Sequence, residues 1–501
     1  MQVPEPAPPK PGHGGSSRRR MRRFIDEGQH PESVAERFMV TKPVLPGGEP
    51  FPFVIAVIPA YNEQESILRT IESLRGQTRR ADEIIVLADN CTDDTVSLAL
   101  AAGVSVVETV GNGDGKAGAL NFLLDEILPM LDDEDCLLVM DSDTVLTERF
   151  IESTVTTLFG PSRRPIAGVG GIFLADDAPW SLVRQLQTNE YVRYQRRLSR
   201  RRGRALVLTG TGTVFKVGVL RAVRQARRDG RVPDLGHAGG VYDISALTED
   251  NELTLCAKEL GYRVVSPKDC TVKTEMMPTW ASLYKQRRRW QRGALENLLA
   301  HGFNRHTAPY ILRQMLTYVG VLFVPFYLYT LCVALVTQSS LNFFQPLWVA
   351  VAVLYILEQT FSVRKGGWRA VLVSLAVLPE IFLDAFLDVV YLVSLVGAFL
   401  ATDEAWGRIR HLDPAKFDRS GRPLDGDTRP VGSTLHGTHA VRRTLSSVVV
   451  GVVCGILALD LLVLAVRLPL TNLPAAWTVI AVYVLIGSLA TLGRLVPVRT
   501  F

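Results

Sequence analysis

Four short apolar runs, "FVIAVI" (53–58), "EIIVLAD" (83–89), "VSVVE" (104–108) and "CLLVMDSD" (136–143), constrain what this chain can fold into more than any other feature. Runs so short and so continuously apolar read as strands buried on both faces, which requires helices on both sides and makes the sheet largely parallel. The intervening segments supply those helices. Residues 63–75 carry Asn62 as a candidate N-cap, Glu65 three residues on, a stripe of Ile67, Ile71 and Leu74, and Gly76 past the end. A second helix is expected after Asp93 and a third from about Gly118. The pattern is that of a doubly wound α/β unit, in which ligands sit beyond the carboxyl ends of the strands. That rule directs attention to Tyr61, Asp89, Asp141 and Asp143.

Residues 164–280 hold weaker strand patterns, "AGVGGIF", "ALVLTGTG" and "YRVVSP", mixed with helices, as an α+β half holding a second substrate would. Then the character changes. No charged residue lies between Arg313 and Glu358, and Gln338–Pro346 interrupts that stretch, so it reads as two membrane helices joined by a short uncharged loop. Spans 447–466 and 471–493 read as a terminal hairpin. Residues 370–401 resist a simple assignment. As one straight helix they would be roughly 48 Å long, well beyond a ~30 Å hydrocarbon core, and they contain Pro379, Glu380, Asp384 and Asp388. The division expected is a basic N-terminal tail (1–50), a cytosolic α/β domain (51–310), interfacial and transmembrane helices (311–401), a cytosolic basic linker (402–446) and a membrane hairpin (447–501).

Composition narrows the class. The chain of 501 residues is 47% apolar with positive mean hydropathy, which points toward a membrane protein. Basic segments beside apolar ones suggest the cytosolic leaflet, so an integral protein of the cytoplasmic membrane with its α/β domain in the cytosol is expected. A net charge of +5 argues against nucleic acid as a partner; the basic excess is local, in "RRRMRRF" (18–24) and "YKQRRRWQRG" (284–293). Six scattered cysteines with no CxxC or CxxH spacing point to reduced, packed thiols, and residues 1–17 resemble a disordered tail more than a secretory signal.

Several short motifs carry chemistry. Asp141 and Asp143, two residues apart at a strand's end, are expected to face the same side and to share one hard cation, although acids capping a turn would look the same. Asp89 in "LADNCTDDT" suits a base N–H or a ribose hydroxyl, or equally an Asx-turn. Lys116 follows the Gly-rich loop of "GNGDGKAGALN" and precedes a helix, which suits phosphate, but the P-loop spacing is absent. Glu249 and Asp250 open a helix striped with Leu253, Cys256, Ala257 and Leu260; they either oppose its dipole or place a carboxylate to take a proton from a hydroxyl nucleophile. In "LTGTGTVF" (208–215), Thr209, Gly210 and Thr211 allow backbone to approach a ligand closely, or make an ordinary tight turn. Around a helix through 284–293, Gln286, Arg289, Trp290 and Gly293 form one stripe, while Lys285, Arg287, Arg288 and Arg292 mostly point elsewhere. A basic helix lying on anionic lipid is the other reading of that segment.

Taken in order, "AYNEQES", "ADNCTDD", "GKAGALN", "DSD", "TGTG", "TED" and "QRRRW" resemble the motif series of the membrane-bound processive family-2 glycosyltransferases, the cellulose, chitin, hyaluronan and poly-N-acetylglucosamine synthases. The resemblance covers about residues 52–310, more loosely to 400. It implies an α/β fold, a GT-A-type doubly wound, mostly parallel sheet followed by interfacial and transmembrane α-helices. It implies an enzyme that transfers a sugar with inversion from a UDP-sugar to the hydroxyl of a growing polysaccharide, with export through its own helices. By resemblance Asp89 and Lys116 would meet the nucleotide, Asp141 the nucleotide and the metal, and Asp143 the Mg²⁺ or Mn²⁺ ion. Asp250, beside Glu249, would be the general base; Gln286 and Arg289 would face the diphosphate; and Trp290, with Thr209, Gly210 and Thr211, would receive the acceptor. The chain departs from many relatives in having no apolar span before residue 310. Transfer of one sugar to a lipid carrier would keep every motif, and a scaffold or transporter would need the helices without the acids.

Overall fold

The computed structural model describes residues 52–176, 178–321 and 346–400. The expectations for residues 1–50, 402–446 and the hairpin 447–493 lie outside the described residues, as do residues 338–345 of the break at Gln338–Pro346.

The first apolar runs form the centre of a seven-stranded sheet. β1 (Val54–Ala60) pairs in parallel with β2 (Glu83–Asp89) on one side and β4 (Cys136–Val139) on the other, and β2 pairs in parallel with β3 (Ser105–Thr109). Beyond β4 the sheet turns mixed: β8 (Thr213–Lys216) runs antiparallel to both β4 and β6 (Ile166–Gly170), and β9 (Arg263–Val265) closes the edge beside β6. A small second sheet joins β5 (Val145–Leu146), β10 (Thr271–Thr274) and β7 (Ile172–Ala175). Val54 to Ile58 have no exposed surface, and Ile85 to Leu87 have none either, so both faces of the sheet are covered as continuous apolar runs require. Each fully buried aliphatic side chain of these strands contributes about 1.5–3 kcal/mol to the domain's stability.

Helices cover the two faces: α1 (Ile67–Arg75), α2 (Thr95–Ala101), α3 (Gly115–Ile127), α4 (Phe150–Phe159), α5 (Leu182–Arg200), α6 (Val217–Arg228) and α7 (Glu249–Glu259). Local details differ from expectation. α1 begins at Ile67 with Ser66 before it, because Asn62 has left-handed backbone (φ 55°) and its side chain accepts from the amide of Thr92 at 2.8 Å instead of capping the helix. "AGVGGIF" splits into β6 and β7, which belong to different sheets, with Gly171 between them passing under Val272 where a side chain would not fit. "ALVLTGTG" is not a strand; the strand begins after it, at Thr213.

Downstream lies a helical region. α8 (Trp280–His301) starts with a capping box in which Thr279 and Ser282 satisfy each other's backbone amides. Residues 308–321 are helical (α9), followed in the described part by α10 (Pro346–Val363), α11 (Gly367–Leu375) and α12 (Leu378–Leu400). The over-long segment 370–401 is therefore two helices, broken at Val377 (φ 62°) just before Pro379. α12 packs along α8 through edge contacts of the Trp280 ring with Phe382 and Phe386, both at 5.0 Å. Glu380 is not a lipid-facing charge: it is 2% exposed and sits against α5, accepting from Arg193 Nη1 and Nη2 at 2.9 and 3.0 Å and from Asn189 Nδ2 at 2.7 Å. Leu378–Ala398 is the one described segment long and apolar enough to cross a membrane.

Candidate functional site

The carboxyl ends of the central strands, the amino ends of α3 and α7 and the 208–213 turn come together, and the residues singled out in the sequence occupy them. Lys116, in the first turn of α3, places its Nζ 2.6 Å from Asp141 Oδ1 and 3.2 Å from Glu249 Oε1. Two segments separated by over a hundred residues are thus joined through one ammonium. Burial pulls the Lys116 pKa down, but the carboxylates of Asp141 and Glu249 outweigh it, so this lysine stays charged. A cleft beside it is lined by Lys116, Thr209, Gly210, Tyr242, Glu249 and Asp250.

Asp250 is fixed from two sides. Its Oδ2 accepts from the amide of Gly210 at 2.6 Å, and its carbonyl accepts from Thr254 Oγ1 at 2.8 Å, which in turn accepts from the Leu208 amide at 3.1 Å. The "TGTG" turn and the "TED" helix start are therefore one assembly. The backbone at Gly210 approaches closely: a Cβ there would lie 3.3 Å from Lys116 Nζ and 3.4 Å from Asp250 Oδ2. Burial first, and then the charge of Glu249, push the Asp250 carboxyl up to about 6 against the opposing pull of Lys116. A carboxyl so placed changes charge close to neutral pH, as a proton acceptor must.

Asp141 and Asp143 reach this region by a route other than strand alternation. β4 ends at Val139, and the two acids lie on the turn that follows, where the Thr144 amide donates to the Asp141 carbonyl at 3.2 Å and Thr70 Oγ1 donates to the Ser142 carbonyl at 2.6 Å. Burial, then Asp141, then Glu63 push the Asp143 carboxyl up to about 6. Crowded carboxylates of this kind fit a hard divalent cation, whose charge would relieve their repulsion and whose preferred ligands are oxygen. Among the described residues another grouping, Glu252, Cys256 and His301, has metal-ligand spacing, but its chemistry is different. Glu252 is already paired with the buried Arg227, and burial with the Glu252 charge holds the Cys256 thiol protonated. His301 bridges Glu252 (3.3 Å) and Glu259 (3.1 Å); burial opposes its charge, yet those two carboxylates lift its pKa to about 9. The group is a balanced ion network tying α6, α7 and α8 together. Nothing in the chain's motif series marks it; His301 is simply the last residue of the "QRRRW" helix, directly before its C-cap Gly302.

Asp89, at the end of β2, is 4% exposed, and its Oδ1 accepts from Thr109 Oγ1 (2.6 Å), Asn112 Nδ2 (2.9 Å) and Asn90 Nδ2 (3.0 Å). Through Asn112, which also donates to the Gly115 carbonyl at 2.8 Å, Asp89 is bound to the loop that launches α3 and Lys116. The last residue of "GKAGALN" has a role of its own. Asn121 exchanges hydrogen bonds with the backbone of Tyr242 at 2.7 and 2.9 Å, and so holds the cleft's tyrosine wall.

The "QRRRW" helix is placed beside this cleft, with its arginines assigned differently from the helical-wheel expectation. Gly293 packs on Thr248, where a Cβ would meet Thr248 Oγ1 at 2.5 Å, and Asn297 donates to the Thr248 carbonyl at 3.0 Å. α8 is thereby clamped to the residue preceding Glu249 and Asp250. Trp290 is half-buried, and Gln286 presents a buried Oε1 that has no protein hydrogen bond. Arg289 is exposed, and the guanidiniums turned inward are those of Arg287 and Arg292, which the helical stripe leaves pointing elsewhere. Leu283, Arg287, Ala294 and Leu298 form the buried stripe of α8, and reading that longer apolar period would have found Arg287.

Residues 51–293 match the model described as "Glycosyltransferase like family 2", so this stretch is a family 2 glycosyltransferase domain. The chain is 27% identical over 252 residues to a probable glycosyltransferase, YdaM, of Bacillus subtilis, covering 48% of this chain and 55% of the relative. It is 26% identical over 310 residues to chitin synthase G of Aspergillus niger, covering 58% and 40% respectively. The chain thus spans about half the length of the curated relatives it matches. Among solved structures it is similar to the mannosyltransferase PcManGT of Pyrobaculum calidifontis, solved with GDP-Man and Mn²⁺, at 17% identity and a TM-score of 0.41 over 74% of this chain and 93% of that one.

Proposed function

We propose that this protein is an inverting membrane glycosyltransferase that moves a sugar from a nucleotide-sugar, a UDP-sugar by preference, to the hydroxyl of a growing polysaccharide and passes the product through its own helices. The observation that carries the reading is the joining of Asp141, Glu249 and Asp250 around Lys116, in a cleft walled by the Thr209–Gly210 turn and Tyr242. Acids this crowded are costly to hold together unless a cation or a charged substrate uses them.

In this mechanism Asp250 accepts the proton of the acceptor hydroxyl as that oxygen bonds to the anomeric carbon. The bond from that carbon to the diphosphate breaks on the opposite side, and its electron pair leaves with the nucleotide. The Gly210 amide and the Thr254 hydroxyl hold Asp250 in line. Asp89 meets the uracil or ribose, and Lys116 exchanges a carboxylate for a phosphate oxygen when donor enters. Arg289 and Gln286 approach the diphosphate, and Trp290, with Thr211 at the turn, receives the acceptor sugar. Mg²⁺ or Mn²⁺ held by Asp141 and Asp143 would supply positive charge to the departing diphosphate. The exposed apolar side chains of α10–α12, among them Leu354, Trp368 and Phe382, support a lipid environment for the helical region.

The test is to incubate membranes carrying the full chain with radiolabelled UDP-sugars and Mg²⁺ or Mn²⁺, then to size the product. Label from one donor in long polymer is the expected result. Label confined to a lipid extract assigns the activity to a lipid carrier instead, and absence of UDP release from every donor overturns the proposal.

A further inference from the structure

Arg287, one of the two arginines that α8 buries, has no role in the reaction as described, yet it is the best-held side chain of the "QRRRW" segment. Arg287 Cζ lies 4.7 Å from the centre of the Trp290 ring and 5.9 Å from that of Tyr191 on α5. Its Nη2 donates to Glu190 Oε2 at 2.9 Å. Burial alone would disfavour its charge, and Glu190 and Tyr191 more than restore it. A guanidinium taken out of water costs several kcal/mol unless it is paired, and here the pairing comes from the Glu190 carboxylate and the Tyr191 ring on α5 and from the Trp290 ring one turn along α8 itself.

We propose that Arg287 is a positioning residue that locks the Trp290 indole plane, using Glu190 and Tyr191 of α5 as its anchor, and thereby sets how an acceptor sugar seats on that indole. The inference rests on the reading of Trp290 as the acceptor's platform. The guanidinium occupies one face of the ring, so a sugar's C–H face is left the other face and the edge. Lysine could keep the ion pair with Glu190 but not the flat stack, which separates positioning from mere charge balance.

Two readouts test it on the full-length protein. In the first, Trp290 emission is isolated as the difference between a variant and the same variant carrying Trp290→Phe. Arg287→Lys should shift that signal and raise its quenching by acrylamide while the melting temperature holds; an unchanged Trp290 signal overturns the proposal. In the second, the fraction of released UDP whose sugar ends in product is measured with radiolabelled UDP-glucose, UDP-N-acetylglucosamine, UDP-galactose and UDP-glucuronate. Arg287→Lys should lower that fraction about fivefold, Glu190→Gln less, with the donor KM within twofold of wild type. A raised donor KM with coupling unchanged contradicts it. Failure of the underlying reading has a different signature: Trp290→Ala would then leave coupling intact.

Discussion

The cleft beneath α3 and the seam between α5 and α12 are both lined with buried or half-buried charge, and they handle it in opposite ways. At the seam the buried acid has its complement: Glu380 takes two hydrogen bonds from Arg193 and one from Asn189, while Arg193 is also held by Ser362 and Ser374. In the cleft one lysine serves Asp141 and Glu249 with Asp250 beside them, and two of the acids of this region, Asp143 and Asp250, are pushed up to about 6. Matched charge fixes one helix against another. Unmatched acid charge is unstable by itself and makes sense where a cation and a diphosphate are to be bound.

If that contrast is right, removing charge from the two places has different consequences. Asp250→Asn should leave folding nearly intact, since it removes a like charge from Glu249, but cut UDP release on the order of 10²–10⁴-fold. A loss of melting temperature in proportion to activity would instead make Asp250 a structural residue. Glu380→Ala should do the reverse and cost about 3 kcal/mol of stability, the low end for a broken buried pair because the Arg193 side chain keeps 22% of its surface exposed. The exchange Arg193→Glu with Glu380→Arg should recover part of it; an unchanged urea midpoint in Glu380→Ala would remove the seam from the comparison.

A subtler probe sits between the two regions. Gly293→Ala puts a methyl 2.5 Å from Thr248 Oγ1, which should cost about 1–3 kcal/mol by overpacking and lower turnover by moving α8 away from the start of α7. The contribution of His301 is read through its pH dependence. Its folded pKa, about 9, is raised above the ordinary 6.5, so the stability it provides is complete below pH 6.5 and is lost as pH rises through about 9. Melting curves of the wild type should fall across that window relative to His301→Gln, and parallel curves would refute the charged state of the imidazole.

Much of the cleft was legible because its residues sit where topology forces them together. Asp89 and Asp141 follow central strands, and Lys116 and Asp250 open helices whose amino ends face the same sheet edge, so strand order alone brings them close. What stayed hidden had no periodic or local signal. Glu190 and Tyr191 lie within α5, a long polar helix without a motif, and their value appears only when α8 lies against it. Arg287 was passed over because a four-residue stripe was read without the apolar positions Leu283, Ala294 and Leu298 that orient the whole helix. Glu380 looked like an obstacle to membrane insertion; its partner, Arg193, is nearly two hundred residues earlier.

The account stands on separated segments meeting around one nucleotide, and hydrogen exchange of the full chain with and without UDP and Mn²⁺ examines that directly. Protection is predicted at the amides of 89–92, 112–118, 140–145, 208–212 and 246–252 together. Protection limited to one of these segments, or lying mainly along α4 and the far edge of the sheet at β9, would contradict it.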